Sequence, residues 1–264
     1  MSDKSSLSVA IITQNEAPNL PDCLKSVAFA KQIVVVDSGS SDNTVDIARS
    51  FGAEVFLKPW KGDFGEQKQY ALDQCRQPWI LVLDADERIP PETAAIIKDI
   101  TENKLPMDAG YSFPRKNFFQ GRWIKHAGWW PDRIIRLFQK DLGRMTEAIV
   151  HEAVHVNGRV KALPVPIEHY TESHLSHLLL KIDKYSTLGA QQAFTEGRHT
   201  TEWMAMLRAC ITFLQDYLLR LGILDGSQGL TLAIADAVNK YFKYAKLAEL
   251  CRQANGHGHS HETQ

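Results

Sequence analysis

The chain has 264 residues, 44% of them hydrophobic and 23% charged, with a formal net charge of −1. That length allows a sizeable core in one large domain or a domain plus an extension, and the near-neutral balance excludes a nucleic-acid binder of the usual strongly basic kind. No stretch approaches the ~18 uninterrupted apolar residues of a membrane span.

Cys23, Cys75, Cys210 and Cys251 are far apart and form no C-x-x-C, which argues for a reducing compartment rather than a disulfide framework. The start, MSDKSS and a short apolar run, is too polar and too brief for a signal peptide. A cytoplasmic location is expected.

In chain order, LSVAIIT (7–13), QIVVVD (32–37), AEVFL (53–57) and WILVLD (79–84) read as strands. Their hydrophobicity is continuous rather than alternating, as in strands of a parallel sheet buried on both faces. Helical patterns fall between them near 18–28, 42–51 and 64–76, and Ser41-Asp42 offers an N-cap for the second. Strand-helix alternation predicts an α/β fold, a mostly parallel sheet flanked by helices.

From about 104 to 170 the texture changes to short strand-like pieces, YSFP, RIIRLFQ and RVKALPVPI, set between Gly, Pro and Trp. A mixed or antiparallel extension of the sheet is expected there, with Asn157-Gly158 as a hairpin turn. From about 173 the pattern is helical, near 174–196, 201–221 and 228–252. The expected organisation is a catalytic domain over 1–170, a helical extension over 171–254 and a disordered tail over 255–264.

The chemistry sits at strand ends. "WILVLDADERI" delivers Asp84 and Asp86 just past a buried strand, where open α/β sheets bind ligands. Carboxylates two residues apart are hard oxygen ligands suited to Mg²⁺ or Mn²⁺ bridging substrate phosphates; a solvated acidic turn is the bland reading. "IVVVDSGSSDNT" ends a second strand with Asp37, and "ITQNEAP" places Thr13, Asn15 and Glu16 at the end of the first. Neither a P-loop nor a G-x-G-x-x-G is present, yet an acid at a strand end can hold ribose hydroxyls or a base edge.

Together "VAIITQNEAPNLPDCLKSV", "IVVVDSGSSDNTVDIA" and "WILVLDADE" resemble the family 2 glycosyltransferases, over about residues 7–155. The resemblance implies the Rossmann-like GT-A fold, a nucleotide-sugar donor and a divalent metal. "FGEQKQYAL", "WWPDRIIRLF" and "VHEAV" are similar to the bacterial lipopolysaccharide-core branch, β-1,4-glucosyltransferases acting on inner-core heptose.

Carried over residue by residue, the resemblance implies that Thr13, Glu16 and Asp37 line the nucleoside pocket, with Lys68 near the base or phosphates against a plain surface lysine. Asp84 would contact ribose or metal, and Asp86 would be the main metal ligand. An inverting transfer needs a carboxylate to deprotonate the acceptor hydroxyl. Glu152 is the candidate, with Asp132 of "WWPDR" as its rival. His151 is a further metal-ligand candidate against a structural histidine, Trp129 and Trp130 a sugar platform against core filling, and Arg133 and Arg136 phosphate contacts against strand-edge solubility. The implied partners are a nucleotide sugar, UDP-glucose in the narrower branch, and a lipid-linked bacterial glycan. Nucleic acid is not among them.

His151-Glu152-x-x-His155 also matches the H-E-x-x-H of zinc peptidases. That chemistry requires a helix, whereas the flanking valines read as a strand, which would hold the histidines about 13 Å apart. The C-terminal pattern raises a last expectation. Across 203–221 apolar residues dominate a broad face interrupted by Arg208 and Arg220, and Lys240, Lys243 and Lys246 interleave with Tyr241, Phe242 and Tyr244. A basic stripe beside aromatics meets anionic lipid, so the 201–252 helices are expected on the inner face of the cytoplasmic membrane. Nine Lys/Arg against seven Asp/Glu leave 173–252 only weakly basic, and internal packing is the competing reading.

Overall fold

A computed structural model describes residues 5–102, 108–146, 153–171 and 175–258. The chain divides into two compact units, Met1–Lys116 with Pro131–Tyr170, and Asn117–Trp130 with Thr171–Gln264.

The first unit opens with β1 (Ser5–Thr13), α1 (Leu20–Ser26), β2 (Ala30–Asp37), α2 (Thr44–Ser50), β3 (Glu54–Leu57), α3 (Phe64–Asp73) and β4 (Trp79–Asp84). The four strands pair in parallel in the order β3-β2-β1-β4. β1 shows why the runs are apolar throughout. Val9 and Ile11 enter one core with Leu20, Leu24, Leu81 and Ile97, while Ala10 enters another with Val34, Ala71, Val82 and Phe138. Both faces are covered, as continuous hydrophobicity requires.

Beyond β4 come β5 (Glu87–Arg88), α4 (Pro91–Thr101), β6 (Gly110–Phe119), β7 (Arg122–Trp123), β8 (Asp132–Gln139), β9 (Gly143–Met145), β10 (Val154–Val156), β11 (Val160–Ala162) and β12 (Ile167–Thr171). β8 pairs antiparallel with both β4 and β6, and β12 antiparallel with β5. This is the mixed extension expected. Two local expectations fail. Asn157-Gly158 closes no hairpin, because β10 pairs with β9 whereas β11 pairs with β6. The N-cap of α2 is Asn43 without a side-chain bond, since the Asp42 carboxylate instead accepts from the Thr44 and Ala17 backbone N–H groups.

Among its described residues the second unit holds β7 and the α-helices α5 (Leu175–Thr195), α6 (Glu202–Leu214) and α7 (Gly226–Gly258). α6 stops short of the expected 221: a π turn over Gln215–Leu219 follows, and Leu221 adopts φ +59°. α7 continues past 252 to Gly258, because propagation from a packed helix adds a hydrogen bond for each residue fixed. Gly229 permits α7 to pass close to the preceding turn, where a Cβ would collide with the Gly222 carbonyl. Trp129 packs on Phe119, Ile124 and Leu232, and Trp130 stands edge-on to Trp123. For Trp129 this favours core filling over a sugar platform.

Candidate active site

Three neighbouring parallel strands end side by side, with Thr13 opposite Asp37 and Ile12 opposite Asp84. The loops that follow β1 and β2 are laced together. Asn15, at φ +56°, donates its N–H to Ser40 Oγ at 2.8 Å and accepts from Ser41 N–H at 2.8 Å. Glu16 donates its N–H to Thr44 Oγ1 at 2.9 Å, and its carboxylate accepts from Asn19 Nδ2 at 2.8 Å.

Asp37 is buried and organises this rim. Its Oδ1 accepts from Gly39 and Ser40 N–H at 2.9 and 2.8 Å, and its Oδ2 accepts from Ser40 Oγ. Gly39 sits at φ +100°, which favours glycine. Beside Asp37, Thr13 Oγ1 is buried with no hydrogen-bond partner among the described residues. Such an orphaned polar atom calls for an explanation, of which a ligand is one.

Asp84 is the hub of a buried charge network. β8 runs antiparallel to β4, with Leu137 opposite Leu81, and carries Arg136 to the strand end. One Arg136 nitrogen lies 2.6 Å from Asp84 Oδ2 and 2.6 Å from Glu87 Oε1. Lys68 Nζ lies 3.0 Å from Asp84 Oδ1, and Asp84 N–H donates to Glu87 Oε2 at 3.1 Å. Burial alone would raise the Asp84 pKa, but Arg136 first and Lys68 next hold the carboxyl well below the usual carboxylate range. Burial likewise opposes the Arg136 charge, and Glu87 and Asp84 more than offset it.

These contacts revise two sequence readings. Arg136 is neither a solubility residue at a strand edge nor free for acceptor phosphates; it is buried between two carboxylates. Lys68 is no plain surface lysine, and its ammonium is engaged by Asp84. Glu87, at 0% exposure, was missed by sequence reasoning although it stands in the quoted "DADE". The signal was an acid closing an apolar segment whose strand partner had to supply a cation.

Asp86 has a different neighbour. β12 pairs with β5 so that His169 faces Glu87 in register, and Tyr170 N–H donates to the Asp86 carbonyl at 3.0 Å. His169 Nε2 thereby stands 3.2 Å from Asp86 Oδ2. Nothing in sequence spacing marks His169, because only the register of β12 brings it there. Among the described residues no group of three or more His, Cys, Asp or Glu side chains is arranged to hold a metal. Asp86 would supply a carboxylate donor of the kind that fits Mg²⁺ or Mn²⁺ with a shell completed by water and substrate phosphates. His169 would supply a nitrogen donor that suits Mn²⁺ better than Mg²⁺.

Asp132 faces Arg115 across the β6–β8 pair, and Arg115 Nε donates to its Oδ2 at 2.9 Å. Arg133 is exposed and donates to the Leu163 carbonyl at 3.0 Å. Glu152 and His151 lie outside the described residues. His155 is exposed on β10 opposite Arg144, so it does not sit on the helix that a zinc-binding H-E-x-x-H needs, and the peptidase reading is discarded. All four cysteines are free, and burial pushes Cys75 up to about 12, far from a reactive thiolate.

A mainly parallel sheet that gathers acids at adjacent strand ends, with a histidine beside Asp86, is the arrangement of an α/β enzyme with its site at the carboxyl ends of the strands. The chain belongs to glycosyl transferase family 2, whose family model matches residues 8–157. It is a glycosyltransferase. It is 30% identical over 94% of its length to the lipopolysaccharide core biosynthesis glycosyltransferase LpsC of Rhizobium meliloti, covering 93% of that protein. An uncharacterized glycosyltransferase of Rickettsia prowazekii, RP128, is 27% identical over 92% of the chain and 87% of its own length. Among solved structures, Staphylococcus aureus TarS in complex with UDP-GlcNAc matches 94% of the chain and 92% of the solved chain, at 15% identity and a TM-score of 0.48.

Proposed function

We propose that this glycosyltransferase moves a hexose, glucose from UDP-glucose, with inversion onto a lipid-linked bacterial glycan, the inner-core heptose of lipopolysaccharide. The observation that carries the reading is the rim of Asp37 and Asp84 on neighbouring strand ends with Asp86 in the turn that follows, in a chain similar over 94% of its length to a lipopolysaccharide core enzyme. The lipid-linked acceptor brings with it a peripheral position on the cytoplasmic membrane.

Thr13, Glu16 and Asp37 take the nucleoside, and the orphaned Thr13 hydroxyl supports that placement. Asp84, fixed by Lys68 and Arg136, sets the floor beneath the diphosphate. Asp86 and His169 hold Mg²⁺ or Mn²⁺. When bound, the ion neutralises the leaving diphosphate and orients it.

The proton of the acceptor hydroxyl goes to Glu152. Its rival Asp132 already accepts from Arg115, which occupies the carboxylate oxygen that would have to receive the proton. The test is a thermal-shift screen of nucleotide sugars with Mn²⁺, since a ligand selective for the folded state raises its stability, followed by release of nucleoside diphosphate with a heptose-terminated acceptor. No stabilisation by any UDP-sugar, or transfer only from another nucleotide, overturns the donor assignment.

A further inference from the structure

The structure of the second unit narrows the membrane contact expected of the 201–252 helices to one of them. Two of the three α7 lysines are turned inward. Lys246 Nζ donates to the Asp183 carbonyl at 3.1 Å, to Asp183 Oδ1 at 2.7 Å, to Ser186 Oγ at 2.9 Å and to Thr187 Oγ1 at 2.7 Å, all on α5. Lys243 packs over Gly189 of the same helix. Lys243 and Lys246 are therefore part of a packing seam between α5 and α7.

α6 shows the opposite pattern. Its buried residues are only Ala205 and Ala209. At about 100° per residue, Trp203, Leu207, Cys210, Ile211 and Leu214 share the contrary arc, and all five are exposed. Trp203 is 85% exposed. The surface continues through Leu218, Leu219, Leu221, Ile223 and Leu224, and beside it an apolar groove of about 550 Å³ opens between α6 and α7, lined by Met206, Phe213, Leu214, Ile234, Tyr241 and Phe242. A continuous apolar surface of this kind marks a protein or membrane contact. No helix among the described residues is long and apolar enough to cross a membrane.

Charge identifies the occupant. Between 203 and 225 every acid is occupied: Asp216 is buried against Arg220, and Asp225 is buried against His126. The half-exposed Glu202 carboxylate, at the helix start, is held by Arg252. Arg208, over the Tyr244 ring, and Arg220, paired with Asp216, are exposed at the borders. Every acid bordering the arc is thus matched by a base, and the Arg208 charge is in excess. That complements an anionic headgroup layer. A protein partner reads hydrogen bonds at about one per 100–200 Å² and a polar rim, whereas this arc offers only the weak Cys210 thiol. A rigid amphipathic tryptophan at one end is characteristic of interfacial helices.

We propose that the outward arc of α6, Trp203 through Leu214 with the 218–224 turn, inserts into the acyl-headgroup boundary of an anionic membrane leaflet. Insertion is apolar in origin, so it persists at about 1 M salt, where screening acts within about 3 Å. The proposal rests on the membrane contact of the preceding reading and is independent of the donor assignment.

The test uses the full chain and vesicles of phosphatidylcholine with phosphatidylglycerol. Wild type is expected to co-sediment at low and high salt, and the triple variant Leu207→Glu/Ile211→Glu/Leu214→Glu to bind at least tenfold more weakly, with an unchanged melting temperature. Its turnover of the donor in solution stays at the wild-type level, which separates this test from that of the catalytic reading. Brominated acyl chains should quench a tryptophan signal that Trp203→Phe removes, a measurement that stands even if the triple variant fails to fold. Absence of wild-type binding, equal binding by the triple variant, or no quenching overturns the proposal. So does a wild-type dimer that the triple variant abolishes while vesicle binding is unaffected, which would assign the face to a second copy.

Discussion

His169 Nε2 stands 3.2 Å from Asp86 Oδ2, and the antiparallel register of β12 on β5 puts it there. The second acid of the Asp-x-Asp thus has an imidazole partner, while the first is gripped by cations. In the proposed function the two acids divide between metal and scaffold.

Asp86→Ala should abolish transfer and leave the melting temperature nearly unchanged. His169→Ala should weaken Mn²⁺ binding roughly 10–100-fold, the scale of losing a group that ligates or orients at a metal site. Calorimetric Mn²⁺ titration in the presence of UDP checks both. Normal Mn²⁺ affinity in His169→Ala would reduce the histidine to a structural neighbour.

Arg136→Met should destabilise the fold by about 3–5 kcal/mol, because removing one partner strands buried carboxylates. Asp84 and Glu87 would both lose their closest cation contact. Urea unfolding measures it. A shift under about 1 kcal/mol would mean that water replaces the guanidinium and that the network is no anchor.

Asp37→Ala should raise the donor KM more than it lowers kcat, the pattern for contacts made in both ground and transition states. Because Asp37 also ties down Gly39 and Ser40, looser nucleotide binding is expected even if the carboxylate never touches the base. Asp37→Asn keeps part of the loop bonding, so comparing the two by UDP calorimetry separates direct contact from loop order.

The parallel half of the sheet was legible because strands buried on both faces must be apolar at every position, and Val34-Val35-Val36 divide between two cores as that requires. The carboxylates of the rim were legible for the same reason, since an acid ending such a run has nowhere to go but the strand end. His169, Glu87 and Arg136 were not, because their meeting depends on antiparallel register between segments far apart in sequence. The α7 lysines misled for a related reason. A stripe on a helical wheel does not say which side is occupied, and α5 occupies it through Asp183 and Ser186.

Asp236→Asn should stabilise the protein at neutral pH. Burial first and the nearby Asp216 second raise the Asp236 pKa from its usual value to about 6, against the pull of Lys240 and Arg220. A carboxyl that is easier to protonate when folded favours the native state below its unfolded pKa. That contribution fades as pH rises through about 6. The asparagine variant should therefore gain on the order of 2 kcal/mol above pH 7, discounted for partial exposure, and little near pH 4. Thermal melts across that range check it, and a gain that does not depend on pH would refute the assignment.

Glu152→Gln is the decisive substitution for the chemistry. The glutamine keeps size and most hydrogen bonding but cannot accept the acceptor's proton, and loss of a general base typically costs about 10²–10⁴-fold in rate. UDP-sugar affinity should barely move, because the base acts on the acceptor and only as charge develops in the transition state. Asp132→Asn gives the contrast. Arg115 already holds that carboxylate across the β6–β8 pair, so its loss should lower stability or acceptor binding before it lowers kcat. Single-turnover rates with saturating donor separate the two. If Glu152→Gln transfers sugar at the wild-type rate while Asp132→Asn is slowed a hundredfold or more, the base is Asp132, and Arg115 must release it when acceptor binds.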